Sequence, residues 1–383
     1  MKKKVLMTAT VPSMIGQFNM ENIKILLSMG YEVHVACNFK DRSVWTEEKV
    51  RQLEEQLTEL QVKKVQIEYV RTPYDIGKLL KAYSELKSLI RKEKYVLLHC
   101  HTPVAGLISR LAVKDAGTIT KVIYTAHGFH FYKGAPLLNW IFYYPIEKWM
   151  SRYTDILITI NKEDYRRAKK EFRANRTEYI PGVGVDVEKL NNVKINKKEK
   201  RKALRIPENA FVLISVGELS ERKNQIIVIH ALARIKNNNI FYLIVGEGGL
   251  QHKYERLIRK SNLEKNILLM GYREDIGELC KISDCFVHPS IREGLGIAPL
   301  EGMACGLPLI ASYVNGIKDY SIDNITGICV SPNSVKEMEQ AINKMYIDLE
   351  FRERCGRYNR IAVKKFDLLN SNKKMKKIYS SLF

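Results

Sequence analysis

The feature that most constrains the fold is a regular alternation of short apolar runs with longer amphipathic stretches. The runs are rich in β-branched residues and have the length of strands, whereas the stretches between them carry apolar residues at helical spacing, as in residues 19–29 and 77–92. Strands that alternate with helices form parallel sheets covered by helices on both faces. The chain is therefore predicted to be an α/β protein.

The alternation occurs twice, on either side of a polar, lysine-rich stretch at residues 189–202. In the first series, strands are predicted at residues 5–10, 32–38, 65–71, 96–101, 122–126 and 156–160. In the second series, they are predicted at residues 211–216, 241–245, 267–270, 285–288, 309–311 and 327–330. A chain of 383 residues is long enough for two cores, and the junction is predicted near residues 181–189. We predict two Rossmann-like domains with doubly wound parallel sheets.

The composition of the chain indicates its cellular compartment and the state of its cysteines. No apolar run reaches the length of a membrane span, and the N-terminal lysines lead directly into the first predicted strand rather than into a signal peptide. The seven cysteines form no C-x-x-C pair, and several lie in apolar runs, which is typical of buried, reduced thiols. These features predict a cytoplasmic protein with neither disulfides nor a zinc site.

The net charge of +21 requires an explanation. Lysine and arginine concentrate at residues 78–94, 194–202 and 352–377, so a polyanion is a candidate partner. Solvated helix faces account for most charges of this kind. The chain has no zinc-finger spacing, aromatic RNA-binding motif or helix-turn-helix pattern, so an anionic membrane surface is favoured over nucleic acid.

The segment at residues 286–308 combines several groups that could bind a ligand. An apolar strand leads into a glycine-containing loop, and a helix is predicted to begin near Pro299. Glu293 lies before the loop and Glu301 on the predicted first helical turn, so one pocket can receive both carboxylates while main-chain N–H groups face an anion. A sugar nucleotide offers hydroxyls to the carboxylates and phosphates to the amides. Two glutamates at this spacing are often unrelated, so the pair alone does not decide the function.

The whole string from Phe286 to Pro308 closely resembles the E-x7-E signature of glycosyltransferase family 4, the retaining enzymes with the two-lobed GT-B fold. The resemblance extends over nearly the whole chain. It implies two Rossmann-like domains that face each other across a cleft: an acceptor-binding domain at residues 1–182 and a nucleotide-sugar-binding domain at 183–360. A C-terminal helix at 361–383 would pack back on the first domain. The implied reaction transfers a sugar from a nucleotide diphosphate to an acceptor hydroxyl with retained anomeric configuration.

By this resemblance, the second domain binds the donor. Glu293 would bind hydroxyls of the donor sugar, Glu301 the ribose, and Arg222 with Lys223 the diphosphate. Family members usually carry an arginine where this chain has Glu218. The other implied donor contacts lie beside the base, where uracil fits best, and at the loop before the helix: Gly246, Arg273, Gly294, Leu295, Gly296 and Ile297.

In the first domain, a strand that ends in His127-Gly128 resembles the segment with which the family brings a histidine to the donor sugar. His127 is therefore the predicted catalytic histidine beside Glu293, and His130 is the competing candidate. Gly16 stands between the first strand and the first helix, where family members carry a glycine-rich loop. This position implies that main-chain amides approach the donor phosphate or the acceptor there.

The chain contains no Asp-x-Asp, the carboxylate pair that would hold a divalent metal. Arg222, Lys223 and the helix N-terminus after Gly296 are expected to neutralise the leaving diphosphate instead, so no metal or other cofactor is predicted. Two other functions stay open at this point. A nonhydrolysing sugar-nucleotide epimerase shares the fold and the donor, and a non-catalytic polyanion-binding protein would explain the charge.

The similarity to capsule and exopolysaccharide members of the family implies a lipid-linked acceptor. We expect a polyprenyl-diphosphate-linked sugar and a peripheral position on the anionic cytoplasmic face of the plasma membrane. A helix with an apolar stripe is predicted to make that contact through its basic residues, Lys78, Lys81, Lys87 and Arg91. Core packing explains the stripe equally well. The aromatic stretch at residues 132–149 suits a core helix first, and a membrane boundary second.

Overall fold

The structure, a computed structural model, describes residues 2–71 and 75–382 of the chain. Strands and helices alternate in two series. The chain divides into two compact units, one formed by Met1–Val183 with Ser371–Phe383 and the other by Gly184–Asn370. The predicted C-terminal segment at 361–383 is thereby divided between the two units.

The first unit is built on a seven-stranded parallel sheet. Its strands are β1 (Lys4–Thr8), β2 (Glu32–Cys37), β3 (Lys63–Gln66), β4 (Leu97–His101), β5 (Lys121–Ala126), β6 (Ile156–Thr159) and β7 (Arg176–Tyr179). They lie in the order β3-β2-β1-β4-β5-β6-β7. The strand order reverses beside β1, and the carboxyl ends of strands at such a reversal are where doubly wound sheets bind ligands.

Helices cover both faces of this sheet. They are α1 (Pro12–Phe18), α2 (Met20–Ser28), α3 (Glu47–Glu59), α4 (Ile76–Glu93), α5 (Pro103–Ala116), α6 (Leu137–Met150) and α7 (Lys162–Glu171), with a 3₁₀ turn at Ser151–Tyr153. Successive residues of a strand point to opposite faces, so Val5 and Met7 pack in one cluster with α2 and α3 while Leu6 packs in the other with α4 and α5.

The second unit repeats the plan with six parallel strands. They are β8 (Phe211–Val216), β9 (Ile240–Val245), β10 (Ile267–Leu269), β11 (Cys285–His288), β12 (Leu309–Ser312) and β13 (Gly327–Val330), in the order β10-β9-β8-β11-β12-β13. Its helices are α8 (Val187–Asn191), α9 (Lys197–Ala203), α10 (Ile226–Ile235), α11 (Gln251–Lys260), α12 (Ile276–Ile282), α13 (Ile297–Ala304), α14 (Val335–Ile347) and α15 (Leu349–Ala362). Two 3₁₀ turns lie at Asn315–Asp319 and Val363–Phe366.

The last helix, α16 (Leu368–Ser380), begins in the second unit and continues into the first. Its residues Met375, Ile378 and Tyr379 are buried in the core of the first unit, beside β1 and β2. The cores of the first unit therefore depend on chain from both ends of the sequence.

The two doubly wound parallel sheets confirm the predicted fold class. Strands β8, β11 and β13 have the predicted limits. Strand β7 was not predicted, because its four residues at the sheet edge are half-buried and form no apolar run. Within residues 2–71 and 75–382, no helix is both long and apolar enough to cross a bilayer.

Candidate active site

The carboxyl end of β11 leads into the loop that the sequence indicates as functional. Gly296 in this loop has a φ of +86°, in the left-handed region that glycine adopts without strain. A Cβ atom at Gly296 would lie 3.1 Å from both Glu293 Cγ and His288 Nε2. The glycine therefore lets the loop turn tightly over these side chains and start α13 directly at Ile297.

Helix α13 begins two residues before the predicted start at Pro299. Proline is tolerated in a first turn because the N–H that it lacks would have no intrahelical acceptor there. Glu301 consequently lies in the second turn, and the prediction that placed it in the first is wrong. In the described part of the chain, no side chain caps this helix. The first-turn N–H groups are therefore available to an anion.

Glu293 lies at the centre of a charged cluster. Lys223 Nζ is 2.6 Å from Glu293 Oε2, and Arg222 Nη1 is 3.2 Å from each carboxylate oxygen. Ser290 Oγ donates to Oε2 at 3.4 Å, and His288 Nε2 lies 3.6 Å from it. Burial opposes ionisation of Glu293, but Lys223 and His288 together hold its pKa well below the usual range. The group is therefore a carboxylate at neutral pH and can accept hydrogen bonds from hydroxyls.

The basic pair lies on the loop between β8 and α10, and that loop is fixed to the Glu293 loop. The carbonyl of Arg222 accepts a hydrogen bond from the Ile291 N–H at 2.9 Å. Asn224 Nδ2 donates to the carbonyls of Pro289 at 3.1 Å and Pro332 at 2.8 Å. The sequence analysis missed Asn224. Its φ of +57° is a conformation that asparagine adopts more readily than most residues, which explains why asparagine suits this position between the two loops.

Glu218 occupies the position where the family usually has an arginine. Its side chain is 62% exposed, and Oε2 lies 3.9 Å from Arg222 Nη2. The substitution therefore places a negative charge next to the remaining arginine. The cations of this loop that reach Glu293 are Arg222 and Lys223.

Glu301 differs sharply from Glu293 in its surroundings. It is half-buried, and its carboxylate has no hydrogen-bond or ion-pair partner in the part of the chain that the structure describes. Burial raises the pKa of Glu301 to about 7. One glutamate of the motif is thus firmly ionised, while the other titrates near neutral pH.

The 3₁₀ turn Asn315–Asp319 supports the loop from the side of β12. A Cβ atom on Gly316 would lie 1.9 Å from the carbonyl oxygen of Gly294, so this contact requires glycine. Tyr320 follows the turn and is buried, and its hydroxyl has no partner among the described residues. A Cβ atom on Gly296 would lie 3.1 Å from that hydroxyl. A buried hydroxyl without a partner beside the loop is a candidate ligand contact that the sequence analysis missed.

The two positions predicted beside the base lie at the carboxyl ends of β9 and β10. Gly246 has a φ of +133°, and a Cβ atom there would lie 2.1 Å from the carbonyl oxygen of Gly217. Its N–H donates to the Gly271 carbonyl at 2.8 Å. Arg273 donates two hydrogen bonds to Asp275, at 2.8 and 2.6 Å. The guanidinium of Arg273 is thus already engaged, and the predicted contact of this segment is through its main chain.

In the first unit, His127 lies at the carboxyl end of β5 beside two further histidines. His127 Nε2 and His101 Nδ1 are 3.1 Å apart. The rings of His101 and His99 have centroids 4.2 Å apart. His99 in turn hydrogen-bonds the hydroxyls of Tyr379 and Thr125, each at 2.8 Å. A connected polar network therefore runs from α16 to His127.

The three imidazoles of this network are uncharged at neutral pH. Burial lowers the pKa of His127 to about 4 and that of His99 to about 3, and it holds the pKa of His101 well below the usual range. Two neutral imidazoles hydrogen-bond only when one donates, so His127 and His101 adopt complementary tautomers. His130 stacks instead on Tyr143, with ring centroids 4.5 Å apart. Across the described residues, no group of three or more His, Cys, Asp or Glu side chains is arranged to hold a metal.

Gly16 does not lie in a loop, which corrects the prediction. It lies within α1, and a Cβ atom there would be 2.2 Å from Trp45 Cη2. The absence of a side chain at Gly16 makes room for the Trp45 ring. The predicted approach of its main chain to the donor phosphate or the acceptor stays a prediction.

The predicted membrane helix is α4, and its cations are engaged within the protein. Lys78 pairs with Asp75 at 3.2 Å, and Lys81 pairs with Glu68 at 3.0 Å. Lys87 Nζ lies 5.6 Å from the centre of the Tyr83 ring. Arg91 donates hydrogen bonds to the main-chain carbonyls of Asp115 and Ala116. The buried stripe of the helix is Ala82, Leu86 and Ile90, which pack in the core. This arrangement favours the core interpretation of α4.

Comparison with known proteins identifies the family. The model "Glycosyl transferases group 1" matches residues 196–362, and "Glycosyl transferase 4-like" matches residues 16–161. EpsD of Bacillus subtilis, which is named as a glycosyltransferase, is 37% identical over 386 residues, or 100% of this chain and 97% of EpsD. The UDP-Gal:alpha-D-GlcNAc-diphosphoundecaprenol alpha-1,3-galactosyltransferase of Escherichia coli is 31% identical over 308 residues, 78% of this chain and 79% of that enzyme.

Solved structures with low sequence identity share the architecture. HepE of Anabaena, crystallised with UDP and glucose, has a TM-score of 0.78 at 20% identity and covers 99% of this chain and 100% of its own. Sucrose-phosphate synthase of Thermosynechococcus elongatus has a TM-score of 0.79 at 19% identity, with 100% and 99% covered. These likenesses show a GT-B fold. The chain is therefore a glycosyltransferase that belongs to the group 1, or family 4, enzymes of this fold.

Proposed function

We propose that this enzyme is a retaining glycosyltransferase that moves a sugar from a UDP-linked donor to a hydroxyl of a lipid-linked glycan. The observation that carries the proposal is the cluster of Lys223 and Arg222 around the ionised Glu293, at the carboxyl end of a parallel sheet. The similar HepE was crystallised with UDP and with UDP-glucose. The cluster supplies cations for a diphosphate and a carboxylate for sugar hydroxyls within a few ångströms.

When the donor binds, the cations and the carboxylate of this cluster would exchange their contacts with each other for contacts with the donor. Its diphosphate would accept charge-assisted hydrogen bonds from Arg222 and Lys223, together with N–H groups from the first turn of α13. Glu293 would then accept hydrogen bonds from hydroxyls of the donor sugar. Glu301, which lacks a partner in the described chain, would accept them from the ribose.

Bond cleavage leaves negative charge on the diphosphate and develops positive charge on the sugar ring. Preorganised cations stabilise the leaving group without having to reorganise during the reaction. His127 would contact the sugar as a neutral imidazole, because burial lowers its pKa to about 4. The acceptor hydroxyl would attack from the face that the leaving group vacates and pass its proton to the departing diphosphate oxygen, which gives retention.

We further propose that transfer needs no divalent metal. The support is that Arg222 and Lys223 form a pair of cations beside Glu293, which would neutralise a diphosphate as a metal does in other enzymes. Transfer should therefore continue in excess chelator. Loss of activity that only added Mg²⁺ or Mn²⁺ restores would contradict this part of the proposal.

The proposed acceptor is a sugar linked to a polyprenyl diphosphate, in the synthesis of a capsule, exopolysaccharide or other cell-surface polysaccharide. The E. coli relative is named for a diphosphoundecaprenol-linked acceptor, which supports this class. An enzyme that extends such a lipid would work peripherally at the cytoplasmic face of the membrane.

The test begins with a thermal-shift screen of nucleoside diphosphates and sugar nucleotides, because a specific ligand raises the unfolding midpoint. We expect UDP and one UDP-sugar to give the largest shifts. That donor is then incubated with polyprenyl-diphosphate-linked sugars, and NMR reads the anomeric configuration of the product. An inverted product, or an epimerised donor formed without acceptor, would contradict the proposal.

A further inference from the structure

Helix α6 presents a continuous apolar face to solvent. Six large apolar side chains of the helix are between 43% and 73% exposed, namely Leu137, Leu138, Ile141, Phe142, Ile146 and Trp149. They are related by steps of three or four residues, as from Leu138 to Ile141 and from Phe142 to Ile146, which places them on one side of the helix. Of the fourteen residues of α6, only Glu147 and Met150 are buried. Core packing, the first interpretation of this stretch from sequence, therefore does not explain the outward face.

The exposed apolar residues elsewhere in the described chain do not form a comparable stripe. No other helix of the described chain carries more than three of them: α15 carries Leu349, Tyr358 and Ile361, and α4 carries Ile76 and Leu80. Single exposed apolar side chains are normal on protein surfaces, whereas a contiguous apolar patch indicates a contact with another protein, a ligand or a membrane. The face of α6 is such a patch.

The charges around this patch indicate which kind of partner it would contact. The only carboxylate of α6, Glu147, is buried and accepts hydrogen bonds from Arg110 at 2.8 Å and Tyr124 at 2.9 Å. The exposed charged residues on and next to the helix are cations: Lys133 before it, Lys148 on it and Arg152 after it. An apolar face with Trp149 near one end and lysine or arginine beside it matches a membrane interface rather than a second positively charged copy of this chain.

We propose that the outward face of α6 is the membrane-contact surface of this enzyme and inserts into the interfacial layer of an anionic bilayer. The inference rests on the proposed lipid-linked acceptor, for which such a surface supplies access. It relocates the contact from α4, whose cations have partners within the protein, to a helix with six exposed large apolar side chains.

The helix is also attached to the loop that carries His127. His130, three residues further along that loop, stacks on Tyr143 of α6, and its carbonyl accepts a hydrogen bond from Asn139 Nδ2 at 2.9 Å. Membrane insertion of α6 would therefore hold this loop at a fixed height above the lipid surface. The glycan of a lipid carrier emerges from the same surface.

Flotation of the full chain with vesicles of phosphatidylcholine and phosphatidylglycerol tests the proposal. The test variant replaces Leu138, Ile141 and Phe142 by glutamine, and the matched control replaces the equally exposed Ile76 and Leu80 of α4 by glutamine. Burying one such side chain changes a partition coefficient by about tenfold. We expect the α6 variant to lose flotation and the α4 variant to float like the parent protein.

A second readout follows Trp149 as the part of the emission that Trp149→Phe removes, since Trp45 and Trp140 also emit. Its fluorescence should shift to shorter wavelength with anionic vesicles, and Trp149→Phe should remove that shift. Each variant must keep the unfolding midpoint and the UDP-induced thermal shift of the parent, so that loss of membrane binding is separate from failure of the proposed donor site. Equal flotation of the α6 variant and its parent would overturn the proposal. So would a parent that does not float but forms a dimer that the α6 substitutions dissociate.

Discussion

At the scale of single residues, Lys223 is the cation nearest to Glu293, with Nζ 2.6 Å from the carboxylate. Lys223→Ala removes the proposed charge-assisted donor to the diphosphate, and we expect transfer to fall by about 10²- to 10³-fold, as for other groups that stabilise transition-state charge. Steady-state kinetics measure the loss. Lys253→Ala is the matched control, since Lys253 pairs with the exposed Glu221 at 3.0 Å. Normal turnover of Lys223→Ala at saturating donor would refute the assignment.

If Glu301 binds the ribose as proposed, donor binding should depend on pH. Its pKa is raised by burial to about 7, so the group is protonated below that pH and loses acceptor capacity for the ribose hydroxyls. We expect the donor KM to be constant above pH 7 and to rise by up to about tenfold per unit below it. Glu301→Gln should remove this dependence while it raises KM at high pH. A KM profile of the variant that still follows the parent would assign the titration to another group.

The two glutamates also show how one motif holds two charge states. Both are half-buried, but Glu293 lies beside Lys223 and stays ionised, whereas Glu301 has no partner in the described residues. The cause is the local presence or absence of a cation, which neither glutamate's position in the sequence reveals.

At the scale of elements, the loop before α13 depends on the 3₁₀ turn behind it. A Cβ atom on Gly316 would lie 1.9 Å from a main-chain carbonyl, so Gly316→Ala must displace the loop. We expect a loss of about 1–3 kcal/mol in the free energy of unfolding, together with weaker donor binding. Chemical denaturation and thermal shift with UDP measure the two effects. Gly249→Ala has nothing within 4 Å of the added atom and serves as the neutral control. Unchanged donor binding in Gly316→Ala would show that the turn does not shape the site.

At the scale of the whole molecule, the end of the chain completes the first unit. A protein that stops at Asn370 lacks Met375, Ile378 and Tyr379, which are buried in that core. Burial of three such side chains contributes about 5 kcal/mol, so calorimetry should show the first unit melting earlier and the second unchanged.

Tyr379→Phe tests the same contact with a smaller change. It removes only the 2.8 Å hydrogen bond to His99, and we expect a loss of about 1 kcal/mol. A truncated protein whose first unit melts like that of the full chain would contradict the assignment of this segment.

Much of the fold was determined by the sequence alone. Buried strands require runs of apolar residues, and these runs predicted twelve of the strands. The motif at residues 286–308 located the Glu293 loop. The strand that was missed, β7, lies at a sheet edge, where half-buried polar residues give no such pattern.

Only the tertiary structure decided which distant residues share a site and in what charge state. Gly16 and Gly246 are predicted from the sequence to bind the donor, and only the structure shows that the absence of their side chains also makes room for Trp45 and the Gly217 carbonyl. The sequence also did not reveal the ion-pair partners of α4 or the exposure of the apolar face of α6. Helical periodicity shows which residues share a face of a helix, but not whether other residues cover that face. Local pattern fixes elements, whereas contacts between residues far apart in the chain set burial, pKa and exposure.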